Sequence, residues 1–249
     1  MNYETLIVEK KQGIGKIILN RPEVLNALSL KLLSELEQAF RDMESDEQIH
    51  AVVLSGTGRA FSTGRDLKEV GEFVTPTGIP KVVASLTKPV IGAVNGYCYT
   101  GGLELALSCD LLIAAQNAIF CDTHARYGLL HGWGGTQRLP RAVGARKAKE
   151  LLFTCEPVNA TEAERIGLVN KVVPQDRLME EAEELARKIA ANSQSSVRKM
   201  KFLINQTMET SLATGLELEA QEYVKHRKEL PAETKEQIQS FIKRKEVTS

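Results

Sequence analysis

Three short apolar runs constrain this chain most: residues 51–54 (AVVL), 90–94 (VIGAV) and 111–115 (LLIAA). Each is too short for a typical helix, and none shows the polar alternation of a half-exposed strand. The first stops at Ser55-Gly56-Thr57-Gly58 and the second at Asn95-Gly96, both turn sequences. Separated as they are by helical segments, such runs predict an α/β fold around a largely parallel, buried sheet. Upstream, residues 6–8 and 16–19 flank Gln12-Gly13 and predict a hairpin, and Arg21-Pro22 breaks the second strand. Ser29 is placed to cap a helix whose Leu33, Leu36, Phe40 and Met43 fall at helical spacing.

From about residue 145 the pattern becomes helical. Thr161-Glu162-Ala163-Glu164 has the form of a capping box. Asp176 reads as the cap of a helix with Leu178, Ala182, Leu185 and Ile189 on one face, acidic residues leading, and Arg187 and Lys188 trailing. Val197, Met200, Leu203 and Ile204 begin another amphipathic helix, and the charged residues 225–245 read as a solvated face. Net charge is zero over 249 residues, so no general field attracts nucleic acid or anionic lipid. No stretch is long and apolar enough for a membrane span. Cys98, Cys109, Cys121 and Cys155 form no C-x-x-C pair and read as reduced, and the N-terminus resembles no signal or transit peptide. The expected location is cytoplasmic.

Two junctions are richer in special residues than ordinary connections. Residues 60–67 (AFSTGRDL) follow the first apolar run, and residues 95–104 (NGYCYTGGLE) follow the second. In each, a strand runs through a glycine-containing turn into a helix-like stretch. Such a turn exposes backbone amides at a helix N-terminus, where negative charge is favoured, and glycine permits close approach. Two of them converging would make a hole for a developing oxyanion. By pattern alone, the commoner reading is an ordinary α/β turn.

Longer strings change that weighting. NRPEVLNALS (20–29), AFSTGRDLKE (60–69), KPVIGAVNGY (88–97), TGGLELALSCD (100–110), GGTQRLPRAVG (134–144) and ATEAERIGLVNKVVP (160–174) occur in this order. Together they resemble the crotonase, or enoyl-CoA hydratase/isomerase, family. The resemblance implies a spiral of ββα units over residues 1–190, and a C-terminal helical oligomerisation region over residues 191–249. It implies homotrimers, or hexamers made of two trimers.

It also implies a site. The backbone N–H groups of Arg65 and Gly101 would grip a thioester oxygen, and Glu104 would hold water. Coenzyme A, as part of an acyl-CoA substrate, would lie along residues 24–27 (Val24, Leu25 and Ala27) and 60–67 (Ala60, Ser62, Thr63, Gly64, Asp66 and Leu67). Tyr97, Gly102 and His131 complete the expected lining. A buried Glu104 carboxylate would have a raised pKa unless hydrogen-bonded.

The chain departs from the family pattern in four places. His124 stands where hydratases carry a second glutamate, and a histidine exchanges protons near neutral pH. Asp122 would orient His124 if the chain folded back. Arg65 replaces a common alanine, its side chain directed to coenzyme A phosphates or to solvent. His131 stands where proline is frequent, beside Trp133, and the two are expected to shape the acyl pocket. The segment from Asp66 to Lys88 is short for a pocket cover and contains the helix-breaking Thr75-Pro76-Thr77-Gly78-Ile79-Pro80.

The expected activity is hydration of a 2-enoyl-CoA in fatty acid or related acyl-CoA metabolism. Isomerase, decarboxylase and hydrolase chemistry, and non-catalytic acyl-CoA binding, are the alternatives. No metal-ligand spacing and no phosphate-binding loop is present, so no metal and no cofactor beyond the substrate's coenzyme A is expected.

Overall fold

The computed structural model describes residues 3–72, 78–230 and 234. The hairpin forms as β1 (Leu6–Lys11) and β2 (Ile14–Leu19), paired antiparallel with Leu6 opposite Leu19. After it comes α1 (Leu30–Ser45), where the Ser29 hydroxyl accepts the N–H of Leu32. Three ββα passages come next. The first is β3 (Ala51–Gly56), β4 (Ala60–Ser62) and α2 (Ile79–Ser85), and the second is β5 (Val90–Val94), β6 (Tyr97–Tyr99) and α3 (Gly101–Ala106). The third is β7 (Leu111–Ala115), β8 (Ile119–Cys121) and α4 (Gly135–Val143).

Each passage gives its first strand to one sheet and its second to another. The large sheet has the order β1-β2-β3-β5-β7-β10, and the small one β4-β6-β8-β9. The chain continues as α5 (Ala145–Thr154), β9 (Val158–Asn159), α6 (Ala160–Arg165), β10 (Lys171–Val173) and α7 (Leu178–Ala190). The pairings β2–β3, β3–β5, β5–β7 and β7–β10 are all parallel. That is the spiral of ββα units.

Alternate residues of the apolar runs face opposite ways. Ala51, Val53, Ile91, Ala93, Ile113 and Ala115 pack with Leu178, Ala182 and Ala186 of α7. Val52, Leu54, Val90, Val94, Leu112 and Ala114 join the larger cluster with Leu32, Leu36 and Phe40 of α1. Both faces of the central strands are covered, so the runs 51–54, 90–94 and 111–115 are apolar at every position.

Contacts between α-carbons divide the chain into Met1–Gln194 and Ser195–Ser249. α8 (Gln194–Thr207) and α9 (Leu212–Glu229) carry most of the second unit's described residues. Within it, Lys199 pairs with Glu222 and Glu229, while Phe202, Ile204, Leu216 and Tyr223 are exposed.

Three local expectations are corrected. The cap of α6 is Asn159, whose side chain accepts the N–H of Glu162, and not Thr161, which lies inside the helix. Asp176 sits in a 3-10 turn (Gln175–Arg177), and α7 starts without a side-chain cap. Ile79 and Pro80 open α2 instead of breaking a helix, since proline lacks an N–H only where the first turn has no use for one. Residues 75–77 of that string, and those of the 225–245 run beyond Leu230 except 234, lie outside the described residues. All four cysteines are free. No described helix is long and apolar enough to cross a membrane.

Lys88 is fully buried just before β5, and its ammonium donates to the carbonyls of Met43 and Asp46, 2.6 Å each, at the C-terminal end of α1. A cation satisfies the orphan carbonyls and the negative end of the helix dipole there. Lys88→Met leaves those buried carbonyls unsatisfied, and a loss of about 2–4 kcal/mol is expected. Urea unfolding should show a lower midpoint at unchanged slope.

Candidate active site

The two glycine-containing junctions meet. Gly64 has φ +95°, a left-handed backbone that a side chain strains. A β-carbon built on it would lie 3.0 Å from Gly101 N. One built on Gly101 would lie 3.6 Å from Arg65 N and 3.4 Å from Trp133 Cζ3. With about 2.5 Å between β-carbon and nitrogen inside a residue, the Arg65 and Gly101 nitrogens are within about 6 Å of each other.

Their directions come from the pairing. Leu28 donates to Gly64 O (2.8 Å) and accepts from Asp66 N (3.2 Å), a parallel bridge that turns the N–H of Arg65 away from Leu28. Gly101 is the first residue of α3, where amides have no intrahelical acceptor. Thr100 sets its aim: a β-branched residue at φ 52°, held by its N–H to Cys121 O (2.8 Å) and its hydroxyl to that of Thr123 (2.8 Å). Strain of this kind persists only where surroundings impose it.

Glu104 lies one turn along α3 and is buried. Its Oε1 accepts the backbone N–H groups of Trp133 (3.0 Å) and Gly135 (2.8 Å). Its Oε2 faces His124 Nε2 at 3.9 Å. On its far side, the His124 ring puts Nδ1 3.0 Å from Asp122 Oδ2 and 3.2 Å from Oδ1, and its backbone N–H donates to Oδ1 (3.1 Å). His131 Nε2 reaches the same Oδ2 at 2.9 Å, and the two rings are 4.1 Å apart.

Burial alone would raise the Asp122 carboxyl, but hydrogen bonds from both imidazoles, with their charges, hold it well below the usual carboxylate range. An ionised carboxylate only accepts, so His124 Nδ1 and His131 Nε2 are the donors. Burial would lower His131, yet the bond to Asp122 and the negative charges of Asp122 and Glu104 leave it raised.

The expected residues divide by what the fold does with them. Segments 24–28 and 62–66 run side by side: Thr63 N–H donates to Leu25 O, Ser62 Oγ to Asn26 O, and Arg21 to Ala27 O. Val24 ends a 3-10 turn, and Leu25 comes after it at φ 54°. Thr63 is part-buried, and Leu67 is 81% exposed. Ala60 and Ser62 are wholly buried at the two ends of β4. The Asp66 carboxylate is engaged by Arg21 (3.0 Å) and by the N–H of Lys68 (3.2 Å). Tyr97 sits on β6, its ring edge-on to Tyr99. Gly102 is buried against the Ser62 carbonyl.

The Arg65 side chain packs against an aromatic ring. Its guanidinium lies over the Trp133 ring, 5.3 Å from the centroid, and burial lowers its pKa to about 10 despite Glu69 nearby. The amides that hold Glu104 escaped the sequence, because any residue has one. Gly134-Gly135 was the available signal: a β-carbon on Gly135 would strike His131 Cδ2 and approach Glu104 Cγ at 3.2 Å.

The donor set Asp122, His124 and His131, with ligand atoms within 4.8 Å of one another, could hold a metal ion and was not visible as a spacing. Here those atoms are hydrogen-bonded to each other.

Two largely parallel sheets filled by ββα passages, with a buried glutamate at the head of a short helix, define a crotonase-like α/β protein. The chain belongs to the enoyl-CoA hydratase/isomerase family, whose model matches residues 9–248. It is 39% identical to a probable peroxisomal enoyl-CoA hydratase 1 of Arabidopsis thaliana, over 96% of this chain and 93% of that one. It is 40% identical to a short-chain-enoyl-CoA hydratase of Clostridium acetobutylicum, over 90% and 89%. Among solved structures, an enoyl-CoA hydratase from Bacillus anthracis superposes with a TM-score of 0.89 at 37% identity, covering 97% of each chain.

The neighbouring glycines of α3 should respond differently to alanine. In Gly102→Ala the methyl collides with the Ser62 carbonyl, which backbone pairing holds, so a loss of about 1–3 kcal/mol is expected. In Gly101→Ala it meets only ordinary contacts, and stability should change by less than about 1 kcal/mol. Thermal unfolding of both variants checks this.

Asp122 and His131 also predict a pH window. A depressed carboxyl stabilises above its unfolded value, and that contribution is lost as pH falls through its folded value. A raised imidazole stabilises below its unfolded value, about 6.5, and the contribution is lost as pH rises through its folded value. His131→Asn should therefore lower the unfolding midpoint more at pH 6 than at pH 9.

Proposed function

We propose that this protein is an acyl-CoA enzyme that adds water across the double bond of a 2-enoyl-CoA thioester. The observation that carries the reading is the approach of the Arg65 and Gly101 amides to each other beside a buried Glu104 whose second oxygen faces His124. The thioester oxygen sits between the two N–H groups, and coenzyme A lies along Val24, Leu25, Ala27, Thr63, Gly64 and Leu67. Donors fixed in place before charge develops are worth more than donors that must reorganise.

Glu104 takes a proton from water as its oxygen bonds to the β-carbon. The π electrons move onto the thioester oxygen as an enolate, and protonated His124 delivers the Nε2 proton to the α-carbon. The proton on Glu104 then returns to His124, closing the cycle. Oε1 of Glu104 is committed to two amides, which leaves Oε2 as the working atom. The relatives named as hydratases support the choice of reaction. The exposed apolar side chains of α8 and α9 support assembly into trimers or paired trimers.

The test is loss of enoyl-thioester absorbance on incubation with crotonyl-CoA. Glu104→Gln should lower kcat by about 10²–10⁴ with coenzyme A affinity nearly unchanged. Gly101→Ala, whose methyl fills the space between the amides, should cost about 10²–10³ in rate. Acyl-CoA binding without turnover by the unaltered protein would reject the hydratase reading for that substrate and favour the non-catalytic one.

A further inference from the structure

We propose that Asp122 is a positioning residue that fixes His124 with Nδ1 as the permanent donor and Nε2 turned to Glu104, so that the Asp122–His124 pair serves where a second carboxylate would. The inference rests on the hydratase reading for its chemistry, but its geometry can be tested without turnover.

Four observations carry it. Asp122 is 3% exposed and comes directly after β8, so its carboxylate is held by the sheet and not by a flexible stem. It binds His124 twice, through the ring Nδ1 and through the backbone N–H, which fixes the angle between carboxylate and imidazole. The line from Asp122 through the ring ends at Glu104 Oε2, 3.9 Å from Nε2, a gap that a water or the substrate's α-carbon can bridge. Glu104 is itself immobilised by Trp133 and Gly135.

An imidazole free to flip would present Nδ1 or Nε2, protonated or bare, at random. With Nδ1–H bonded to an ionised carboxylate, only Nε2 gains and loses the proton. Among the described residues, Glu104 on α3 faces the ring at Nε2 and His131, before α4, lies against it; Arg138 on α4, whose guanidinium holds Trp133 O at 2.7 Å, acts on Glu104. His131 shares Oδ2, so the carboxylate is anchored from two sides and cannot follow His124 if its ring turns.

Two measurements test the proposal. Long-range proton–nitrogen NMR of the 15N-labelled protein reads the tautomer of each of the four histidines, with His124 assigned through His124→Gln. Neutral His124 should be protonated on Nδ1, and Asp122→Ala should convert it to the Nε2–H form. An Nε2–H signal in the unaltered protein, or no change in Asp122→Ala, would overturn the proposal whether or not the protein hydrates crotonyl-CoA.

The second is kinetic. Asp122→Asn should lower kcat about 10–100-fold, leave KM within about threefold, and move the pH at which kcat is half-maximal. Asp122→Glu should restore part of the rate, and in a His124→Gln background Asp122→Asn should cost nothing further. A loss equal at every pH, or the same loss with His124 already replaced, would mean that Asp122 only supports the fold. If the unaltered protein shows no turnover, the hydratase reading fails alone and the tautomer still decides this one.

Discussion

Glu104 Oε1 accepts two backbone N–H groups, from Trp133 and Gly135, and much of the site depends on that pair of hydrogen bonds. It ties α3, at the end of one ββα passage, to the loop that opens the next helix. Because Glu104 and Gly101 belong to the same short helix, whatever holds the carboxylate also holds the amide three residues earlier. Trp133 is fixed at the same stroke, and its ring lies close to Gly101 and beneath the Arg65 guanidinium. A carboxylate taken out of water needs such partners. Glu104 thus places three other parts of the site as well as its own working oxygen.

The two sheets explain why the parts converge. Every passage leaves the large sheet and enters the small one through a turn, and β4, β6 and β8 lie side by side. Parallel pairing puts the ends of neighbouring strands level. The residues just beyond β4 and β6, Gly64-Arg65 and Thr100-Gly101, therefore arrive together though 36 positions separate them in the chain. Asp122 and His124 leave β8 at the same level. The site is a row of strand exits from one sheet.

Much of this was legible beforehand, for physical reasons that differ by element. The runs 51–54, 90–94 and 111–115 were readable because strands covered on both faces are filled mainly by apolar side chains. Ser29 was readable because its hydroxyl does one local job. Thr161 misled because Asn159, two residues earlier, does that job with a side chain equally suited to it. Ala60, Ser62 and Asp66 fall within a motif, but their burial and the Arg21 partner of Asp66 depend on contacts distant in the chain. The amides of Trp133 and Gly135 were hidden because a main-chain donor leaves no trace in residue type. Asp122 was visible as an acidic neighbour of His124, but its grip on both imidazoles needed the loop that returns His131 to it.

Arg65 occupies a position whose task belongs to the main chain. Any residue other than proline supplies the same N–H, so selection on that amide places no demand on the side chain attached to it. The position is then open to drift or to recruitment. In this chain it carries a large cation that spreads over an indole packed against Gly101. A protein built this way can change the side chain beside its two amides without moving either amide.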